Sequence, residues 1–261
     1  MTDKITGAPV AFCNGVFYNN VNITSVTFSE GVSVINNNMS RMFSNCCNLI
    51  SVTNIPEGTK NMAEAFMDCQ KLTKVSNIPN SVTNMYGAFF NCSNFTQAPN
   101  IPDSVTNISW TFRKCTSLTT PPILPSNVTS LAYTFANCIN LTTPPTLPSN
   151  VTSLGYTFQD CTNLTLNGTY QIPELVTNMI GTFMNCVNVT GNFYVTSKRI
   201  NNTSMRDCFN GTSLRKKVML DPTGYNATAN TWNAATNATY GISGKNGVII
   251  GTLGEDHGGA N

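Results

Sequence analysis

Ten cysteines and a single histidine are the residues of this 261-residue chain best equipped for chemistry. Thiols can close disulfides, hold a soft metal or act as nucleophiles, and each use demands its own spacing. Here Cys46, Cys69, Cys92, Cys115, Cys138 and Cys161 recur every 23 residues, and Cys186 follows after 25. A zinc site needs clustered knuckles of the CxxC type. Cys46 and Cys47 are adjacent, but no histidine or second knuckle accompanies them. A nucleophile needs a base, and the lone His257 lies in the glycine-rich run GEDHGGAN. Disulfides between neighbouring ladder positions would join side chains with parallel Cβ vectors, which disfavours closure. The ladder therefore reads as a buried column of reduced, structural thiols, because free cysteine behaves as a small hydrophobe. Glu64, Asp68, Asp103 and Asp160 are scattered and read as exposed edges, not as acid–base pairs. No Ser–His–Asp set and no glycine-rich phosphate loop is suggested. The expectation is a protein that is not an enzyme, with no cofactor and no metal.

A ladder this regular must be held by a repeated element. A phenylalanine precedes each ladder cysteine by three: Phe43, Phe66, Phe89, Phe112, Phe135, Phe158 and Phe183. An apolar residue follows each by three, from Leu49 to Val189, and another precedes the phenylalanine by four, from Met39 to Met179. The spacing of four suggests one side of a helical turn. Six residues before that position stands a proline, as at Pro56, Pro79 and Pro102, where it would end a short strand. A unit this small cannot bury its own apolar side, so only stacking gives it a core. The sequence predicts an α/β solenoid of leucine-rich-repeat type, with short parallel strands, short helical turns and about nine coils counted from Phe17 to Phe209. Residues 1–38 read as an N-terminal cap and irregular first turn, 39–214 as the solenoid, and 215–261 as a C-terminal cap strand and attachment tail.

The run LTTPPILPSNVTSLAYTFANCINL at 118–141 resembles the BspA-like family of bacterial leucine-rich-repeat proteins, and LTKVSNIPNSVTNMYGAFFNCSNF at 72–95 has the same Leu, Pro, Val, Met, Ala-Phe and Cys pattern. The resemblance covers roughly residues 13–214. It implies a non-enzymatic binding scaffold, since members are surface or secreted adhesins of bacteria and some protists, and similar repeats occur on phage virion proteins. It implies no particular ligand.

Composition narrows the partners. Charged residues make up 10% of the chain and the net charge is +2, too little and too scattered for a nucleic-acid surface. No apolar run is long enough to span a bilayer. The start MTDKITGAPVAFCNG lacks a positive segment followed by an apolar core, which leads to the expectation of a protein assembled in the cytosol. That favours the surface of a phage virion, with a bacterial cell surface or secretion as the alternative. The expected partners are a host surface glycan or protein, or other virion subunits, within a larger assembly. A purely structural spacer is the third reading.

Two sets of residues stand out as contact candidates. Two positions before the ladder phenylalanine, successive units carry Trp110, Tyr133 and Tyr156, where other units have Arg41, Glu64, Gly87 and Gly181. On a helical turn this position points away from the core. The three aromatics would either form a flat strip for sugar rings or a protein partner, or cover the corner of their own turns. In the tail, Val248, Ile249 and Ile250 form an apolar run suited to strand pairing with the last turn or with a neighbouring subunit.

Overall fold

A computed structural model describes residues 2–5, 11–166, 169–189, 192–195, 204–212, 218–220 and 249–250. Each unit lies on the one before it, so that the sequence period becomes a set of columns. Nine phenylalanine rings, from Phe17 to Phe209, form one continuous stack with centroids 5.3 to 5.8 Å apart. The eight from Phe43 onward are fully buried, as are the flanking columns running from Met39 to Met205 and from Leu49 to Val189. Burying one such ring contributes about 1.5–3 kcal/mol, and ring pairing adds about 0.5–1.5 kcal/mol. The column of rings therefore contributes to the cohesion between units.

The strands are parallel and cluster towards the two ends. β1 (Thr2–Ile5), β3 (Ser25–Phe28), β5 (Ser51–Thr53) and β6 (Lys74–Val75) form one sheet in chain order, and β2 (Ala11–Phe12) pairs with β4 (Ser33–Val34). β7 (Thr169–Ile172), β8 (Asn192–Val195), β9 (Val218–Leu220) and β10 (Ile249–Ile250) form a second four-stranded sheet. Ile249 and Ile250 pair with Met219 and Leu220 of the same chain; Val248 lies outside the described residues. Among the described residues between β6 and β7 the expected strand of each unit is absent, and only isolated bridges such as Gln97–Thr120 remain. Pro99, Pro121, Pro122, Pro144 and Pro145 fill these segments, and proline has no N–H to give a ladder.

The expected helical turns are replaced by something else. Among the described residues the only helical element is the three-residue 3-10 segment Ile35–Asn37, itself interrupted by a positive φ of 55° at Asn36. The Met-to-Leu stretch is instead a run of β-turns whose N–H groups alternate in direction. Met42, Ser44 and Cys46 donate three residues back within the unit, to Met39, Arg41 and Phe43, while Arg41, Phe43 and Asn45 donate to Ala63, Ala65 and Met67 of the next unit. A helix would direct all of these donors inward, leaving none to join the coils. Alternation satisfies the backbone and binds neighbouring units at once. The turns demand a left-handed residue at their third position, two before and two after each ladder phenylalanine, as at Arg41 (φ 54°) and Asn45 (φ 62°). Just ahead of them, the side-chain oxygens of Asn38, Asn61, Asn84, Asn107 and Asn178 accept the N–H two residues on, at 2.9–3.1 Å, the turn-initiating bond for which asparagine is suited.

The cysteine column is buried, and its thiols have a specific partner. Each ladder Sγ–H donates to the carbonyl of the ladder phenylalanine one unit earlier, from Cys46 to Phe17 through Cys186 to Phe158, at 2.9–3.1 Å. Burial pushes the Cys46 thiol up to about 11 and that of Cys186 up to about 12. It also raises Cys69, Cys92, Cys115, Cys138 and Cys161. All ten cysteines are free, with Cys13 exposed and Cys47 half-buried.

Candidate functional site

The aromatic candidates occupy the left-handed turn position. Trp110, Tyr133 and Tyr156 have φ of 64°, 55° and 55°. The same position is glycine in two other units, Gly87 and Gly181, with φ of 56° and 58°. Bulky side chains avoid this region, at a cost of roughly 1–2 kcal/mol per residue. Glycine stands there because the backbone is left-handed. In this column Arg41 and Glu64 form an ion pair. The aromatics answer to no such pairing, and three strained large residues in consecutive units mark this stretch as one that its side chains, not its backbone, select.

The three rings are brought together. Trp110 and Tyr133 have centroids 4.6 Å apart, and Tyr133 and Tyr156 stack at 4.8 Å with 11° between their planes. Phe90 extends the row, 6.2 Å from Trp110. All four side chains are half-buried. Because the tyrosine rings face one another along the axis, much of what they offer outward is ring edge and hydroxyl. At the far end the Tyr156 ring lies over Gly181.

Two cations complete the cluster, and sequence reasoning did not find them. The Arg113 guanidinium carbon lies 4.3 Å from the Trp110 centroid, 5.2 Å from Tyr133 and 5.9 Å from Phe90. Lys114 Nζ is 5.7 Å from Phe90, and Lys114 is itself left-handed (φ 62°) where most units carry Asn or Asp. The signal was available: corresponding positions in neighbouring units carry Met67, Ala136 and Gln159 for Arg113, and Asn91 and Asn137 for Lys114. Partial burial raises the pKa of the Tyr133 hydroxyl, with Tyr156 adding to the shift and Arg113 opposing it.

The remaining polar residues are tied into the scaffold. Asp68 accepts from Asn91, and Asp160 accepts from Asn137 and Asn185. No group of three metal-ligating side chains occurs among the described residues, and no helix there is long and apolar enough to cross a membrane. His257 lies outside the described residues. On the proline side a groove of about 810 Å³ is lined by residues including Pro145, Leu147, Tyr170, Ile172 and Pro173, with Glu174 its single charged lining residue.

Comparison with known families decides the lineage. Residues 10–142 and 86–214 match the BspA type leucine rich repeat region, in 6 copies. The chain belongs to the BspA-type leucine-rich-repeat family. Among solved structures, a leucine-rich repeat protein from Bacteroides ovatus ATCC 8483 superposes with a TM-score of 0.60 at 23% identity, over 81% of this chain and 58% of that one. A leucine rich cell surface protein from Faecalibacterium prausnitzii A2-165 gives 0.47 at 19% identity, over 97% and 90%. The T. pallidum leucine-rich repeat protein gives 0.43 at 24%, over 52% and 65%. This BspA-type chain thus spans 58% of the length of the Bacteroides protein, and the likeness is one of fold. No curated protein matches the sequence.

Proposed function

We propose that this chain is a non-enzymatic adhesion scaffold whose contact surface is the aromatic row from Phe90 to Tyr156. The repeat family points to binding and adhesion. The observation that carries the reading is the placement of Trp110, Tyr133 and Tyr156 in a backbone region where glycine is the easy choice. Elsewhere in this column the fold uses glycine, at Gly87 and Gly181, or the internally paired Arg41 and Glu64, so the turn itself does not call for three large aromatics in a row. The partner is a surface glycan or protein of a host cell.

The finer reading is a phage virion component used for host attachment or particle decoration, with a bacterial surface adhesin as the alternative. Its support is thiol chemistry. Seven ladder thiols must stay protonated and unoxidised to donate to the phenylalanine carbonyls, a state kept by a reducing cytosol. In the same reading the strand formed by Ile249 and Ile250, with Val248 before it, is the assembly edge.

The test is a variant carrying Trp110→Gly, Tyr133→Gly and Tyr156→Gly. Glycine accepts the left-handed turn, so the variant should keep its fold while losing attachment to host cells. Retained attachment by the folded variant would overturn the proposal. Mass spectrometry of purified virions and of cell-wall fractions separates the two locations.

A further inference from the structure

We infer that the cation–aromatic cluster around Arg113 is a site for a carboxylate-bearing sugar. This rests on the reading of the aromatic row as the contact surface, and it names the ligand chemistry.

Arg113 is an ion pair without its acid. Its Nε is buried and has no hydrogen-bond partner, a desolvation left uncompensated by the protein. The ion pairs among the described residues are Arg41–Glu64 and Arg206–Asp207, and neither involves Arg113 or Lys114. The acids that share its surface rows are engaged elsewhere, Glu64 by Arg41, Asp68 by Asn91, and Asp160 by Asn137 and Asn185. Arg41 shows what this fold does when an arginine is to be neutralised internally: the next unit supplies a glutamate. Arg113 has three rings instead. Rings hold a guanidinium by its face and leave its outer N–H fork for a planar anion. Lys114, beside it, adds a second positive charge. In a chain with 10% charged residues, two adjacent cations without an acid partner define the sign of the ligand.

The backbone then separates sugar from peptide. The N–H groups of Trp110, Tyr133 and Tyr156 already donate to Ala132, Gly155 and Ile180 of the following units, at 2.8–3.0 Å. An extended peptide finds no free strand edge here. Recognition is left to side chains: ring edges, the Tyr133 and Tyr156 hydroxyls and the terminal nitrogens of Arg113. The residues just before the three aromatics are the small Ser109, Ala132 and Gly155, which keep one flank of the row low. Hydroxyl donors, apolar ring edges and one anion-seeking fork match a uronic or sialic acid residue, whose carboxylate takes the arginine while its ring lies along the row.

Calorimetric titration of the full chain with matched probes tests this, using trigalacturonate against its methyl ester and 3′-sialyllactose against lactose. The acid of at least one pair should bind about tenfold or more tightly than its neutral partner, the worth of one charge-assisted hydrogen-bonded contact. Added salt should erode that preference, and Arg113→Gln should abolish it. Arg113→Lys should restore only part of it, because the planar fork is lost. Equal binding of acid and neutral forms, retention of the preference in Arg113→Gln, or tighter binding of polyglutamate than of either acidic sugar would overturn the inference. If Arg113→Gln does not fold, the acid-against-neutral difference in the parent chain and its salt dependence decide. Should no acidic sugar be preferred while the triple-glycine variant still loses host attachment, the sugar inference alone falls. Unchanged attachment in that variant removes the contact surface itself.

Discussion

The ring of Tyr156 occupies the space that a side chain at residue 181 would need: a Cβ built on Gly181 falls 2.4 Å from both Cδ1 and Cε1 of the tyrosine. Gly181 is also left-handed, with φ of 58°. The glycine thus serves as the floor on which the last ring of the aromatic row rests. Gly181→Ala should therefore combine backbone strain with a clash and lower stability by about 2–3 kcal/mol. Gly87→Ala, whose Cβ would meet only the Glu64 side chain at 3.4 Å, should lose about 1 kcal/mol from the backbone alone. Urea denaturation of the two variants checks the difference; equal losses would mean that the Tyr156 ring moves aside freely.

Replacing Tyr133 offers an inversion of the usual order. In most positions alanine is more stable than glycine. At φ of 55°, Tyr133→Gly should be the more stable of the two by about 1 kcal/mol. A thermal melt in which Tyr133→Ala exceeds Tyr133→Gly would show that this turn has relaxed out of the left-handed region.

Thiol accessibility should divide the cysteines sharply. In the native state an aromatic disulfide reagent should modify Cys13 rapidly and Cys47 more slowly, while denaturation without reductant should expose all ten. Rapid native modification of Cys115, located by peptide mapping, would contradict a buried column. Cys115→Ala should cost about 1–2 kcal/mol through the lost bond to the Phe89 carbonyl and the small void. Cys115→Ser, which keeps a donor near that carbonyl, should cost no more.

The same thiols set an alkaline limit. Their folded pKa values are raised by burial, with Cys46 at about 11, above the ordinary thiol value of about 8.5. Protons leave the unfolded chain first, so the unfolded state binds fewer protons and stability declines as pH rises. Stability should be level below about pH 8 and then fall by up to about 1.4 kcal/mol per pH unit for each buried thiol. Unfolding followed by tryptophan fluorescence across this range provides the measurement, and Cys115→Ala should make the decline shallower. A flat profile to pH 11 would mean that the column is not protonated when folded.

Columns were legible in the sequence because a fixed period forces equivalent residues into register. That period alone places Phe43, Cys46 and Leu49 inside. The local conformation was not legible, because Met39 and Phe43 are four apart in a β-turn run as they would be in a helix. The discriminating marks were present in Asn45, Gly87, Asn91, Asn137 and Gly181, residues that favour left-handed turns and recur two places from the phenylalanine. The prolines at 121, 122, 144 and 145 likewise announced the missing central strands. Of the site, the row of Trp110, Tyr133 and Tyr156 could be read from spacing alone. Arg113 was legible only as a departure from the Met67, Ala136 and Gln159 of its column; its place among the rings was not, since a lone arginine looks like a solvated charge until they are located.

The alternating turns make every seam between units nearly the same seam. Phe112 meets Phe135 much as Phe135 meets Phe158, at 5.7 and 5.8 Å, and the bonds from Cys138 to Phe112 and from Cys161 to Phe135 are both 3.0 Å. A unit outside the aromatic row could be excised or copied, and the units on either side would find the surface they already recognise. A gene coding for such a chain can lengthen or shorten its product by unequal crossover, one coil at a time, without inventing an interface. Reach becomes a heritable variable separate from affinity: lineages can set how far the aromatic row stands from its anchor while leaving the row itself untouched.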